Sequence, residues 1–149
     1  MIEKISWDQI LDIWSNRLWP NRVSKIEPNS AMVYMGGYDM FNMGTTPTFF
    51  GLFVNNELVG VNSGHMCNDK QYRSRGLFVD PKYRGNKYGS MLLSATIEQG
   101  RSEGAELVWS LPRKTSIHAY QDAGFELSTE WFTTETSESN AYVKIDLGK

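Results

Sequence analysis

Cysteine is almost absent. Cys67 is the only one in 149 residues, so no intrachain disulfide can form and nothing points to an oxidising compartment. Long apolar runs are missing too: Phe49 to Val54, with a glycine inside it, is far too short to span a bilayer. The N-terminus, Met1-Ile2-Glu3-Lys4-Ile5, lacks the apolar core of a secretion signal. Net charge is small, with 15 basic against 17 acidic residues and a formal charge of -2, which argues against a general nucleic-acid binder. One cysteine and two histidines supply no zinc set, so no metal is expected. These absences lead to the expectation of a soluble, cytoplasmic protein with neither nucleic acid nor membrane among its partners.

What is present is the composition of an ordinary globular domain, 40% hydrophobic and 21% charged, with five Trp, seven Tyr and seven Phe. A chain of this length forms one domain and buries about 70% of its unfolded surface, enough for a core without staples. Ser6 with Gln9 is a capping-box pattern, and Trp7, Ile10, Leu11, Trp14 and Leu18 follow at helical spacing until Pro20. Ala31 to Phe41, interrupted by Gly36-Gly37, reads as a short or broken helix followed by a loop.

Thr48 to Val54 and Leu58 to Met66 read as strands joined by an Asn55-Asn56 hairpin turn, since asparagine tolerates positive φ. Tyr72 to Val79 is the next strand. A helix follows, with an inner stripe of Tyr88, Met91, Leu92, Ala95 and Gln99, ended by Gly100 or Gly104. Glu106 to Leu111 reads as a short buried strand. Thr115 or Ser116 starts a helix to about Asp122, ended by Gly124. Phe125 to Phe132 and Ala141 to Leu147 read as closing strands around a polar loop, Thr133 to Asn140. The fold class expected is α/β, a mixed central sheet flanked by helices in a single domain.

The stretch with chemical content is Leu77-Phe78-Val79-Asp80-Pro81-Lys82-Tyr83-Arg84-Gly85-Asn86-Lys87-Tyr88-Gly89, a strand running into a glycine-bearing loop that opens a helix. Helix N-termini carry unpaired N–H groups and a partial positive charge, and so bind phosphates. Lys70, Arg73, Arg75, Lys82, Arg84 and Lys87 gather here against only Asp69 and Asp80, which points to a polyanionic ligand. On spacing alone a solvated strand-to-helix turn stands beside that reading. Neither the dinucleotide nor the P-loop glycine pattern is present.

Arg84-Gly85-Asn86-Lys87-Tyr88-Gly89 resembles the acyl-CoA diphosphate loop of the GNAT N-acetyltransferases, [QR]-x-x-G-x-[GA], together with its apolar strand and Val-Asp-Pro-x-Tyr lead-in. Ile117-His118-Ala119-Tyr120-Gln121-Asp122-Ala123-Gly124-Phe125 is similar to that family's late helix. The resemblance spans Thr48 to Phe132. It implies an acyl-CoA-binding core over 48–132, an N-terminal helical region over 6–41 that varies with the acceptor, and a terminal loop and strand over 133–149. Lys87 stands where the family's middle glycine is usual, and Arg113 where an asparagine is frequent.

The implied activity is acetyl transfer from acetyl-CoA, as co-substrate, to a primary amine by direct attack in a ternary complex. Leu77, Phe78 and Val79 would pair through their backbones with the pantetheine arm, and Arg84, Gly85, Asn86, Lys87, Tyr88, Gly89 and Ser90 would hold the diphosphate, with Arg113 as a further phosphate contact. Tyr120 would protonate the departing thiolate. The position matching the base of some relatives is Val108, which leaves Glu106, on the same strand face, and His65, near the end of a strand, as candidates. Between Asp122 and Asp146 lie six acidic residues and one lysine, a field that would favour a cationic amine if it borders the acceptor entrance. Dimers are common among similar proteins, so a homodimer is an expected state. The alternatives are a non-catalytic acyl-CoA-binding domain, and a protein-interaction domain with a vestigial loop.

Overall fold

In the computed structural model, which describes residues 1–40, 45–133 and 139–148, the capping box expected at Ser6 is formed. Ser6 Oγ accepts from the Gln9 N–H at 3.1 Å, and Gln9 Oε1 accepts from the Ser6 N–H at 2.9 Å. Helix α1 runs over Trp7–Ile13 and then widens into a π-helical turn, Trp14–Leu18. Such turns interrupt an α-helix at a cost and gather at functional sites. This one precedes Trp19 and Pro20; Leu18 and Trp19 still pack on the Trp14 core, while Arg17 reaches Asp80. Ahead of the helix is a strand the sequence did not announce, β1 (Ile2–Lys4), too short for alternation to register.

The helix expected over 31–41 is not formed in the described part of that segment. Met35, Gly36 and Gly37 have φ of 69°, 109° and 92°, and successive left-handed residues cannot lie in a right-handed helix. The chain reverses instead: Asp39 N–H reaches Ala31 O at 2.7 Å, and Met32 bridges Tyr38.

The strands β2 (Thr48–Val54), β3 (Glu57–Met66) and β4 (Gln71–Val79) form as the alternation predicts, and Asn55 and Asn56 make the hairpin turn with φ of 52° and 67°. Helix α2 (Tyr88–Ser102), β5 (Leu107–Ser110), α3 (Ile117–Asp122), β6 (Glu126–Leu127) and β7 (Val143–Asp146) complete the chain. Both closing strands are shorter than the sequence predicts. Beyond Leu127 the chain leaves the sheet and returns in a bridge between Phe132 and Asn140. Most of the polar loop over 133–140 lies outside the described residues.

These form one mixed sheet in the order β1-β2-β3-β4-β5-β7-β6, in which β4 and β5 are the parallel pair and α2 is their crossover. The α/β expectation is met. On one face, α2 and α3 bury Leu93, Ile97, Tyr120 and Phe125 against Tyr72, Val108 and Val143. On the other, α1 buries Ile10, Ile13 and Trp14 against Phe49, Val61 and Phe78. Trp109 and Tyr142 pack beneath Met32 and Tyr34 on that same side.

The buried stripe of α2 differs from the expected one. It is Leu92, Leu93, Thr96, Ile97 and Gly100, while Met91 is 44% exposed. Thr96 faces inward because Asn62 Nδ2 donates to its Oγ1 at 2.8 Å, and Gly100 because a Cβ there would sit 2.9 Å from the Tyr72 ring. Gly104, with φ 92°, follows the helix.

Gly76 decides the course of β4. It has φ 77° at an irregular step in the pairing with β3, and a Cβ there would run into the Trp14 indole, whose Nε1–H donates to Gly76 O at 2.9 Å. Gly85 also has positive φ, 86°, but a Cβ there meets nothing within 4 Å. Gly76→Ala is therefore expected to lose about 3 kcal/mol, combining left-handed strain with overpacking, whereas Gly85→Ala loses only about 1 kcal/mol. Urea unfolding of both variants checks this, and equal losses would remove Trp14 as the cause.

Candidate active site

Parallel pairing between β4 and β5 covers only Gln71↔Leu107, Tyr72↔Val108 and Arg73↔Trp109. Past that point Ser74, Arg75, Phe78 and Val79 pair with β3 alone, and Gly76 and Leu77 lie in the irregular step. The carbonyls of Ser74, Gly76 and Val79 accept from the side chains of Ser110, Trp14 and Arg84. Strands that separate leave a row of unpaired N–H and C=O groups, which serves as a template for an extended ligand. A cleft of about 690 Å³ opens in the gap. Its walls come from both faces of the sheet: Gly89, Ala119 and Tyr120 on the α2–α3 side, and Arg17, Trp19, Arg73 and Arg75 on the α1 side.

The outer end of the cleft is the entry to α2. Asp80 closes β4, accepting from the Lys82 N–H at 2.9 Å and from Arg17 Nη2 at 3.2 Å. The Lys82 N–H first, then Arg17, holds its carboxyl below the usual range. Pro81–Tyr83 then makes a 3₁₀ turn, and Lys87, with φ 63°, precedes the helix. The first N–H groups of α2 have no partner within the helix, and Tyr88, Gly89 and Ser90 of its first turn line the cleft. Arg84 Nε donates to Val79 O at 2.8 Å, which folds the loop back over the strand end. Gly89 permits the close packing of α2 on α3, since a Cβ there would lie 3.1 Å from Ala119 Cβ.

The inner end holds Tyr120, buried at 3% exposure and edge-on to Phe125 at 5.4 Å. Ser110 Oγ donates to Ser74 O at 2.7 Å and stands 3.4 Å from Tyr120 Oη. Burial raises the phenol above its usual range, opposed by Ser110 and Arg73, so Tyr120 is protonated at neutral pH. Arg73 and Arg75 face it from the α1 side. Arg73 stacks on Trp109 at 4.9 Å, and Arg75 on Trp14 and Trp19 at 4.9 and 5.4 Å.

Of the residues named from sequence, the structure brings together Leu77, Phe78, Val79, Arg84, Gly85, Lys87, Tyr88, Gly89, Ser90, Arg113 and Tyr120 around this cleft. Asn86 does not line it; its Nδ2 donates to Tyr83 O at 3.0 Å, bracing the loop. Glu106 does not reach it. It is exposed at the end of β5 remote from the cleft, where its N–H meets Lys70 O at 2.8 Å. Alternation gave the right face and the wrong end of the strand.

His65 does not line the cleft either. It is fully buried beside Arg73 in the sheet register, with the Ser30 main chain as a weak polar neighbour. Burial, reinforced by Arg73 and Arg75, pushes its pKa down to about 3, so it stays neutral. Among the described residues, the carboxylates expected to draw a cationic amine are not gathered at the cleft. Glu126 and Glu130 are exposed away from it, Asp122 lies at its rim 3.7 Å from Lys87, and residues 135 and 138 are outside the described residues. Sequence reasoning missed Arg17, Trp19, Ser110 and the burial of Arg73 and Arg75. The last was signalled by the strict alternation Tyr72-Arg73-Ser74-Arg75, which puts both cations on one face. Among the described residues no cluster of His, Cys, Asp and Glu is placed to hold a metal, and no helix is long and apolar enough to cross a membrane.

The profile of the acetyltransferase (GNAT) family matches residues 11–125. Solved structures share the fold. An aminoglycoside 6'-N-acetyltransferase complexed with coenzyme A aligns with TM-score 0.71 at 12% identity, over 98% of this chain and 96% of that one. The ribosomal-protein-S18-alanine N-acetyltransferase from Escherichia coli aligns with TM-score 0.66 at 16% identity, over 100% and 94%. A nourseothricin acetyltransferase aligns with TM-score 0.59 at 22% identity over 67% of this chain, which spans 65% of that protein. No protein of curated function matches the sequence.

His65 carries a stability prediction. A histidine that is neutral in the fold and titrates near 6.5 when unfolded makes the unfolded chain the stronger proton binder below that pH. Stability is expected to be complete above pH 6.5 and to fall by up to ~1.4 kcal/mol per unit as pH drops toward 5, before carboxylates contribute. Urea melts of wild type and His65→Asn across this window check it: the variant should lose the slope, and an unchanged slope would contradict the burial.

Proposed function

The chain belongs to the GNAT acetyltransferase family, and from that premise we propose that it transfers the acetyl group of acetyl-CoA to a primary amine bound in the same cleft. The observation that carries this reading is the half-paired strand Ser74–Val79, which ends at the unpaired N-terminus of α2. One side offers backbone groups to an amide-bearing arm, and the other offers N–H groups and cations to a diphosphate. The fit is supported by the open space over Gly85 and by Arg84 and Lys87 at the rim.

Acetyl-CoA, when bound, supplies a thioester carbon as electrophile. Leu77, Phe78 and Val79 hold its arm along β4, and an N–H from this strand polarises the acyl oxygen. Gly85 through Ser90, with Arg84 and Arg113, hold the diphosphate, Asn86 serving by bracing the loop. Tyr120, kept protonated by burial, gives its proton to the sulfur as the C–N bond forms and the C–S bond breaks. The amine's proton leaves to solvent, because Glu106 and His65 lie outside the cleft. The acceptor enters from the α1 side, where Arg17, Trp19, Arg73 and Arg75 line the cleft.

Calorimetric titration of acetyl-CoA is expected to give a Kd on the order of micromolar, weakened at least tenfold in Arg84→Ala, Lys87→Ala. Tyr120→Phe should lower kcat by about 10²-fold at unchanged acetyl-CoA affinity. Undiminished kcat in that variant would remove Tyr120 as the acid. Binding without turnover of any amine would favour a non-catalytic acyl-CoA-binding domain, and no binding at all would overturn the reading.

A further inference from the structure

The α1 side of the cleft holds a charge pattern that the acetyl donor does not use. Arg73 and Arg75 project from the same face of β4 and are 9% and 6% exposed, yet both line the cleft. Neither has an ion-pair partner among the described side chains. Arg73 Nε is buried with no hydrogen-bond partner among the described side chains. Arg75 gives one N–H to the main-chain carbonyl of Glu27 at 2.7 Å.

A guanidinium has five N–H donors around its edge; Trp109 stacks on Arg73, and Trp14 and Trp19 on Arg75, so the indoles meet the faces and accept none of these N–H groups. Burial disfavours both charges, and each disfavours the other. Arg75 is pushed down to about 9 by burial first, then by Arg73 and Arg22, with Glu27 acting weakly the other way. Arg73 is likewise lowered by burial, with Cys67, Tyr120 and Tyr142, whose burial raises them and keeps them uncharged, as its neighbours.

Two buried cations with no anion paired to them among the described side chains are costly unless a ligand brings the counter-charge. The diphosphate does not, because its loop starts at Arg84, past the far end of β4. From Arg75 to Val79 alone the strand advances about 13 Å. The anion must arrive from the side on which the acceptor enters.

We propose that Arg73 and Arg75 form an acceptor subsite that binds an anionic group, carboxylate or phosphate, carried by the amine that is acetylated. Planar guanidinium edges match the paired oxygens of either group. The acceptor is thus an acidic amine, the opposite sign from that expected of the C-terminal acidic residues. This inference rests on the acetyltransferase reading, since it names that reaction's second substrate.

The test titrates the CoA-saturated wild type with amino carboxylates and their carboxamides, and with O-phosphoethanolamine against ethanolamine. The same compounds are assayed as acceptors with acetyl-CoA. At least one charged member is expected to bind tenfold or more tighter than its neutral counterpart, and the two pairings tell carboxylate from phosphate. Arg73→Gln and Arg75→Gln should each abolish that preference by raising the acceptor Kd or KM at least tenfold, with the acetyl-CoA KM within about twofold. Removing an uncompensated buried charge should leave the apo melting temperature equal or higher, and Arg75→Lys, which keeps the charge, should recover part of the preference. Equal affinity for charged and neutral members, no binding of any acid in the panel, or a raised acetyl-CoA KM in the Gln variants overturns the subsite. Failure of the wild type to bind acetyl-CoA overturns the acetyltransferase reading itself.

Discussion

The separation of β4 from β5 after three paired residues is the constraint on which the rest of the molecule depends. A parallel pair carried to its full length would leave no free backbone edge and no gap in the sheet. Here the indole of Trp14 occupies the space a side chain at residue 76 would need and holds the Gly76 carbonyl. The irregular step turns Leu77 toward α2 and Phe78 toward α1. The capping box at Ser6 and the π-helical turn after Ile13 set where Trp14 falls, so a local feature in the first turns of the chain shapes a cleft built 60 residues later.

Electrostatics then divides the cleft. At its outer end a helix N-terminus and exposed cations face solvent, an arrangement that selects polyanions without paying for burial. At its inner end the charges are buried and their surroundings are aromatic. Tyr120 keeps its proton there because water is scarce, and His65 remains neutral in the same region for the same reason. The buried arginines, which share this environment but cannot readily give up their charge, are the groups in need of a partner.

The fold was legible wherever its determinants are local. The Asn55-Asn56 turn, the strand-loop-helix around Gly85 and the late helix with Tyr120 each depend on residues adjacent in sequence. What escaped depends on distant packing. Thr96 and Gly100 face the sheet because Asn62 and Tyr72 receive them, so a stripe chosen by apolarity keeps Leu92, Tyr88 and Ala95 but misses these two and includes the exposed Met91. Arg73 and Arg75 looked like part of an exposed basic group. Trp14, Trp19 and Trp109, with the main chain at Glu27, all distant in sequence, bury them. Glu106 fell on a plausible face, but alternation carries no information about which end of a strand meets a cleft.

The central claim is that the open edge of β4 and the N-terminus of α2 together hold acetyl-CoA. Amide hydrogen exchange with and without saturating acetyl-CoA tests it most directly, because it reads the backbone N–H groups themselves. The account predicts that protection rises over residues 77–79 and 85–90, while β1 and β2, on the far side of the sheet, are unchanged. Protection gained elsewhere with those two segments unaffected would contradict it.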